Sequence, residues 1–178
     1  MRESFNPQGR LTMTLADPQT GRVVLRRSAR NLVTLAGRQL LSNLFSGTIS
    51  GFDAVEVVVG NGGIVGAAAG EATAPAVADV ALAHDDDGGA EPAPAPIVAE
   101  IGTPTSRDFD GTERMVTPVL ATLEANPGGD PLYLREAGIQ FTLPAEGGST
   151  TTLYNRVVFG LITKDPNLQL TLSWEIIF

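Results

Sequence analysis

Leu132-Tyr-Leu-Arg-Glu-Ala-Gly-Ile-Gln-Phe-Thr-Leu143, Leu153-Tyr-Asn-Arg-Val-Val-Phe-Gly-Leu-Ile162 and Leu168-Gln-Leu-Thr-Leu-Ser-Trp-Glu-Ile-Ile-Phe178 occupy the last part of the chain and decide its fold. Each run is rich in β-branched and aromatic residues and alternates at a period of two, which places successive side chains on opposite faces of a strand. Turn formers separate the runs: Pro144-Ala-Glu-Gly-Gly148 after the first and Lys164-Asp-Pro-Asn167 after the second. Three successive strands with short polar connections predict an antiparallel meander, with its last residues tied into a sheet.

The upstream sequence fits the same class. Gly9–Leu15 and Arg22–Arg26 flank Asp17-Pro-Gln-Thr-Gly21, a hairpin whose turn opens on Asp-Pro and ends on a glycine that can take positive φ. Between Asn31 and Gly47 the period changes. Val33, Ala36, Leu40, Leu41 and Leu44 share one helical face, and Arg38, Gln39, Ser42 and Asn43 take the other. This predicts one helix over about 33–46, capped by Asn31 or Thr34 and ended by Gly47, with its apolar stripe on a sheet. Phe52–Gly60 predicts a strand whose Val57-Val-Val59 run is buried on both faces, and Asn61-Gly-Gly63 turns sharply after it. Strands resume at Ile97–Gly102 and Glu113–Leu123, and Asn126-Pro-Gly-Gly129 turns into the final runs. The expected fold is mainly all-β: an antiparallel β-sandwich with an N-terminal hairpin and one packed α-helix, residues 1–178 forming a single domain.

Ile64–Pro96 departs from this pattern. It is rich in Ala, Gly and Pro and contains Asp85-Asp-Asp-Gly-Gly89 and Pro92-Ala-Pro-Ala-Pro96. With few large apolar residues it cannot build its own core, so residues 64–96 are expected to be an excursion from the sandwich, with a short helical turn near Ala76–Ala83. Alone, such a segment is expected to be mobile. Ordering it requires contact with the domain or a partner, its proline run extended and Asp85–Asp87 at the periphery.

Composition removes several function classes. There is no cysteine, which excludes disulfides, thiolate metal sites and cysteine nucleophiles. No apolar run is long enough to form a membrane-spanning helix, and the polar start MRESFNPQGR lacks the apolar stretch of a secretory signal. The net charge of −8 is unevenly spread: residues 1–46 hold seven arginines against Glu3 and Asp17, and the remainder is strongly acidic. A basic face for nucleic acid and complementary faces that meet between copies both produce such asymmetry. Overall acidity favours the second, because the distant field repels phosphate. No nucleic acid or membrane partner is expected.

Candidate chemistry is sparse. His84 is the only histidine, so a Ser-His-Asp triad could be built only around it, and no G-x-S-x-G elbow accompanies it. His84 and Asp85–Asp87 could hold a hard cation, although Asp85-Asp-Asp-Gly-Gly89 lacks the alternation of an EF-hand loop and a plain solvated acidic loop is the simpler reading. Gly60-Asn-Gly-Gly63 lacks both the GK[ST] ending of a phosphate loop and the third glycine of G-x-G-x-x-G. Arg135-Glu136 reads either as a catalytic acid with a neighbouring base or, more simply, as a buried or interfacial ion pair. Trp174, Tyr133 and Tyr154 fall within strands and are expected to pack the core. No catalytic, cofactor-binding or metal-ligating residue is assigned, and no cofactor is expected.

The order of motifs resembles a known group. Asn31 to Leu41 reads N-x-V-T-x-A-G-R-x-L-L, Val59 to Gly62 reads V-G-N-G, and Asp79 to Leu82 reads D-x-A-L. Leu134 to Ile139 (L-R-E-A-G-I), Leu153 to Phe159 (L-Y-N-R-V-x-F) and Leu170 to Phe178 (L-T-L-S-W-E-I-I-F) follow in that order. The succession resembles small structural virion proteins of tailed bacteriophages over most of the chain, departing at Asp85–Pro96. The resemblance implies a virion component made in the host cytoplasm, without catalytic residues. It would act by self-association, as a trimer or as lattice copies, and by docking on other virion proteins on the tail, baseplate or fibre-attachment side. Arg26, Arg27 and Arg30 would then meet carboxylates of a neighbouring copy. The alternatives are a capsid decoration protein and a receptor- or carbohydrate-binding β-sandwich, the latter requiring solvent-facing aromatics. An enzyme would instead gather titratable groups in a pocket.

Overall fold

The computed structural model describes residues 7–89, 91–109 and 111–178. Two antiparallel sheets face each other. The strands are β1 (Gln8–Ala16), β2 (Val23–Arg30), β3 (Leu32–Val33), β4 (Ala54–Gly60), β5 (Ile97–Val98), β6 (Glu100–Ile101), β7 (Thr105–Phe109), β8 (Thr112–Leu123), β9 (Leu132–Ala145), β10 (Gly148–Lys164) and β11 (Gln169–Ile177). The first sheet runs β2-β1-β11-β8-β6, with β7 also paired to β8, and the second runs β3-β10-β9-β4-β5. The fold is the expected all-β sandwich with one helix, α1 (Leu35–Phe45).

The core follows from the alternation. Leu11, Met13 and Leu15 of β1 and Leu170, Leu172, Trp174 and Ile176 of β11 point inward from the first sheet. Val55, Val57 and Val59 of β4, Ala137 and Ile139 of β9, and Val157 of β10 meet them from the second. Trp174 is fully enclosed at the centre. Burial of this kind contributes on the order of 25 cal/mol per Å² of apolar surface, so the interior aromatic and aliphatic residues dominate the favourable side of folding.

Several elements match their sequence signals. Asp17 shapes the hairpin turn, its carboxylate accepting from the Gln19 N–H at 2.8 Å and the Thr20 hydroxyl at 2.7 Å, while Gly21 takes φ +70°. Thr34 caps α1 by accepting from the Gly37 N–H at 2.9 Å. The helix settles on β10 through Gly37 and Leu40, both buried. A Cβ at Gly37 would collide with the Tyr154 carbonyl, so the close approach requires glycine.

Three expectations are corrected. The final runs are not one meander: β9 and β10 form a hairpin in the second sheet, but β11 inserts between β1 and β8 in the first. The Asp165-Pro-Asn167 turn thus passes the chain between sheets, and the apolar alternation of β11 is satisfied by burial from either layer. Ile97–Gly102 likewise splits, β5 pairing with β4 and β6 with β8. Ala76–Ala83 contains a single turn, Asp79 N–H to Ala76 O at 3.1 Å, and no helix.

The excursion lies against the outer face of the second sheet. Val80, Ala81, Leu82, His84 and Ala93–Pro96 line a groove of about 410 Å³ with Val58, Gln140, Thr151 and Leu153 of the sheet; Leu82 and His84 are half-buried there, and Val80 is exposed. Val57 and Val59 face the core while Val58 is half-buried beneath the excursion, so the valine run is covered from both sides as expected.

Candidate functional site

Two features stand out as candidates: a buried charged network beneath the excursion and a wide polar face on the opposite side of the sandwich. The network is centred on Arg156 of β10 and on Arg135 and Glu136 of β9, all at most 2 % exposed. Glu136 and Arg156 leave their strands away from the core and meet at 2.8 Å. Arg156 also donates to Asp79 at 2.7 Å and to the Thr73 carbonyl at 2.9 Å. Glu136 accepts from the backbone N–H groups of Gly62 and Ala83, at 3.3 and 3.1 Å. Arg135 turns elsewhere, donating to the carbonyls of Ile64, Gly66 and Ala68 at 3.1, 3.0 and 2.7 Å. The expected Arg135–Glu136 ion pair is corrected: both residues are buried, but Glu136 pairs with Arg156, and Arg135 binds backbone carbonyls.

These groups fix the excursion by answering its backbone. A segment poor in large apolar residues presents peptide groups that must be hydrogen-bonded when covered. Two guanidiniums, each with five N–H donors, satisfy a series of its carbonyls, and the Glu136 carboxylate satisfies the Ala83 N–H within it and the Gly62 N–H of the turn that leads into it. Burial alone would raise the Asp79 carboxyl, but the Ala76 N–H and Arg156 outweigh it and hold Asp79 below its ordinary value. Burial likewise works against the charge on Arg156, and Asp79 and Glu136 more than offset it, raising the guanidinium's pKa.

Asn61 is the second anchor. It is 1 % exposed, and its Oδ1 accepts from the N–H groups of Asp85 and Gly63 at 2.9 and 3.1 Å. Gly62 and Gly63 take φ +70° and +82°, so Gly60-Asn-Gly-Gly63 is the sharp turn its composition demands. His84 is held at both ring nitrogens: Nδ1 accepts from the Asn61 N–H at 3.2 Å, which leaves Nε2–H to donate to the Glu91 carbonyl at 2.8 Å. His84 is thus a strut between two backbone segments. Asp85–Asp87 are exposed, as expected, and form a tight turn in which Asp85 and Asp86 carboxylates accept from the Asp87 and Gly88 N–H groups. Among the described residues no group of His, Asp and Glu converges in a way that could hold a metal ion.

A cleft of about 640 Å³ lies between the excursion and the Asn126–Pro131 connection. It gathers Glu91, Glu124, Asp130, Tyr133 and Lys164. Glu91 is engaged by the Gly66 N–H at 2.6 Å, and Glu124 by Gln169 at 2.9 Å. Lys164 is 3 % exposed and belongs to none of the ion pairs formed among the described residues. Burial pushes its ammonium below the ordinary lysine value, against the pull of Asp165 and Glu124. Tyr133 is half-buried at this cleft, whereas Tyr154 and Trp174 are core residues. Burial pushes the Tyr154 phenol up to about 12. With Trp174 enclosed, the single tryptophan offers no surface on which a sugar ring could stack.

The second candidate is the outer face of the first sheet. Arg10 lies directly opposite Arg30 across β1 and β2, Thr12 opposite Ser28, and Thr14 opposite Arg26. On the other side of β1, Arg10 faces Glu175 and Thr12 faces Ser173 of β11. Arg107 of β7 bonds Glu175 across the sheet and lies opposite Arg114 of β8. Among the described residues, five arginines thus share this face with two carboxylates, Glu175 near the middle and Glu100 opposite Leu120 at the β6 edge. A shallow polar depression of about 480 Å³ opens between Arg10, Arg26, Ser28, Ser173 and Glu175. Arg27, expected to share the outward set, points the other way and donates to the Gly160 and Leu161 carbonyls at 3.1 and 3.2 Å, clamping β2 to β10.

No helix among the described residues is long and apolar enough to cross a membrane. The chain matches no protein-family model, no curated protein and no solved structure.

Proposed function

We propose that this chain is a structural subunit of a tailed bacteriophage virion or a related phage-like particle. It works by self-association and by docking on neighbouring virion proteins, on the tail, baseplate or fibre-attachment side. The observation that carries the reading is the contrast between the two outer sheet faces. The second sheet is overlaid by the chain's own excursion, and among the described residues the first carries five arginines with only two carboxylates. Like charges placed directly opposite each other across strands destabilise a sheet, so the Arg10–Arg30 and Arg107–Arg114 pairs are a cost to the isolated fold that an acidic contact surface offsets.

The motif order supports the same reading. The residues that carry the resemblance to phage structural proteins gather in space: Gly62 of V-G-N-G, Asp79 of D-x-A-L, Glu136 of R-E-A-G and Arg156 of L-Y-N-R belong to one hydrogen-bonded network. In this reading the motifs specify a scaffold, and the chain is not an enzyme. Among the described residues, Glu91 and Glu124 of the Lys164 cleft are bonded to a backbone N–H and an amide rather than to a base, and an acid bonded to a base is the arrangement that activates a nucleophile.

Antibody labelling of purified particles under the electron microscope tests the proposal. Label at the tail end supports it. Label spread over the head assigns the chain to capsid decoration instead. Particles free of the chain, from lysates that contain it, would overturn the virion role.

A further inference from the structure

Resting on the reading of the chain as an assembling subunit, we propose that the arginine face of the first sheet docks the Asp85–Asp87 turn of a second copy, joining copies head to tail. The two surfaces belong to opposite sides of the sandwich. The arginine face is the outer side of the first sheet, and the acidic turn rides on the excursion that covers the second. A contact between them cannot be isologous. It is heterologous, each copy offering one half to the copy before it and the other half to the copy after it.

Charge and shape favour this occupant. Arg10, Arg26 and Arg30 are exposed and carry only N–H donors, which match carboxylates in forked geometry. Among the described residues, Glu175 is the one carboxylate in the sheet register of these three arginines: it lies opposite Arg10 and is already bonded to Arg107. The acidic turn presents three consecutive exposed aspartates on a preorganised loop. Asn61 and His84 fix its base, and its own Asx bonds fix its tip. A rigid acidic tip loses little entropy on binding, which separates it from the chain's scattered carboxylates. The chain's net charge of −8 repels polyphosphate at long range, whereas contact between complementary patches of two copies is local.

Two variants of the full chain test the contact. Arg10→Glu/Arg26→Glu/Arg30→Glu disables the basic half. Asp85→Asn/Asp86→Asn/Asp87→Asn removes the acidic charge and keeps a side-chain oxygen for each turn bond. Sedimentation at low salt should show concentration-dependent association of the wild-type chain that fades as salt rises. Each variant alone should associate about a hundredfold more weakly or worse. An equimolar mixture should give a one-to-one pair that grows no further, because only one productive contact remains between them. Circular dichroism of each variant should match the wild type, since all six side chains are exposed.

If both variants assemble as the wild type does, this contact is wrong and assembly proceeds through another surface, leaving the proposed function standing. A wild-type chain that stays monomeric at high concentration and low salt would overturn the contact and self-association together. Retention on immobilised duplex DNA that survives the aspartate changes and is lost with the arginine changes assigns the face to phosphate, and this too overturns the proposal.

Discussion

Arg156 and Glu136 meet at 2.8 Å with their side chains 2 % and 0 % exposed, one from β10 and one from β9. The pair lies on the outward side of its sheet, where a sandwich strand would normally present groups to water, and it is dry because the excursion covers it. Removing either partner strands the other as a buried charge. Arg156→Met or Glu136→Gln alone should cost about 3–5 kcal/mol. The double variant should lose less than the sum of the two. Chemical denaturation of the four proteins measures the coupling, and strict additivity would mean the charges do not act as a pair.

The Gly37 position makes a different prediction. In an exposed helix Gly→Ala gains about 1 kcal/mol from propensity. Here the new methyl would enter the space of the Tyr154 carbonyl, so α1 must lift from β10. Gly37→Ala should therefore destabilise the protein, by about 1–3 kcal/mol, the usual cost of overpacking. A thermal melt at or above the wild-type midpoint would show that the helix has room to move.

Much of this architecture is legible in the residue pattern. Period-two alternation marks β1, β4, β8, β9, β10 and β11 because each buries one face against the same core. Thr34 and Gly47 bound a helix for local reasons, whereas the need for glycine at 37 comes from the distant Tyr154 carbonyl. Which sheet a strand joins is not local: Leu170, Leu172, Trp174 and Ile176 would be equally buried in either layer. β7 (Thr-Ser-Arg-Asp-Phe) has no apolar alternation to read, since both its faces are largely wet. The network was half visible. Arg135-Glu136 is conspicuous in a strand, but Arg156 lies 20 residues from Glu136 and the pairing depends on β9–β10 register. Asn61 reads only as a turn residue, and its burial arises because the excursion returns over it. The arginine face is legible only in part: Arg26 and Arg30 belong to a basic stretch of sequence, but Arg107 joins them only through the placement of β7 and β11.

Acid should loosen the excursion late. The Asp79 carboxyl is held below its ordinary 3.8, chiefly by the Ala76 N–H and Arg156 working against burial. A depressed carboxylate contributes stability that is present in full above its unfolded value and disappears as pH falls through the folded one. Excursion docking should thus be level from about pH 5 to pH 8 as far as Asp79 is concerned, and weaken below 3.8. Limited proteolysis within residues 64–83 by an acid-active protease, run at stepped pH, checks this. Asp79→Asn should bring the same loosening to neutral pH, and an unchanged cleavage rate in that variant would remove Asp79 from the docking.

Lys164 is a destabilising group with a measurable signature. Its side chain is buried at the edge of the Glu124–Asp130 cleft and takes part in none of the ion pairs among the described residues, and burial pulls its pKa below 10.5. Between the folded and unfolded values the unfolded chain binds more protons, so this group makes stability rise with pH through that window and weighs against folding at neutrality. Lys164→Met keeps the length of the side chain and removes the charge. It should stabilise the protein at pH 7 by about 1 kcal/mol, a rise of about 2–4 °C in Tm. The gain should shrink as the wild-type lysine loses its proton at alkaline pH. Melts of both proteins from neutral to alkaline pH separate this from a simple packing gain, which would persist unchanged; a lower Tm for Lys164→Met at pH 7 would mean that the ammonium is held by favourable contacts after all.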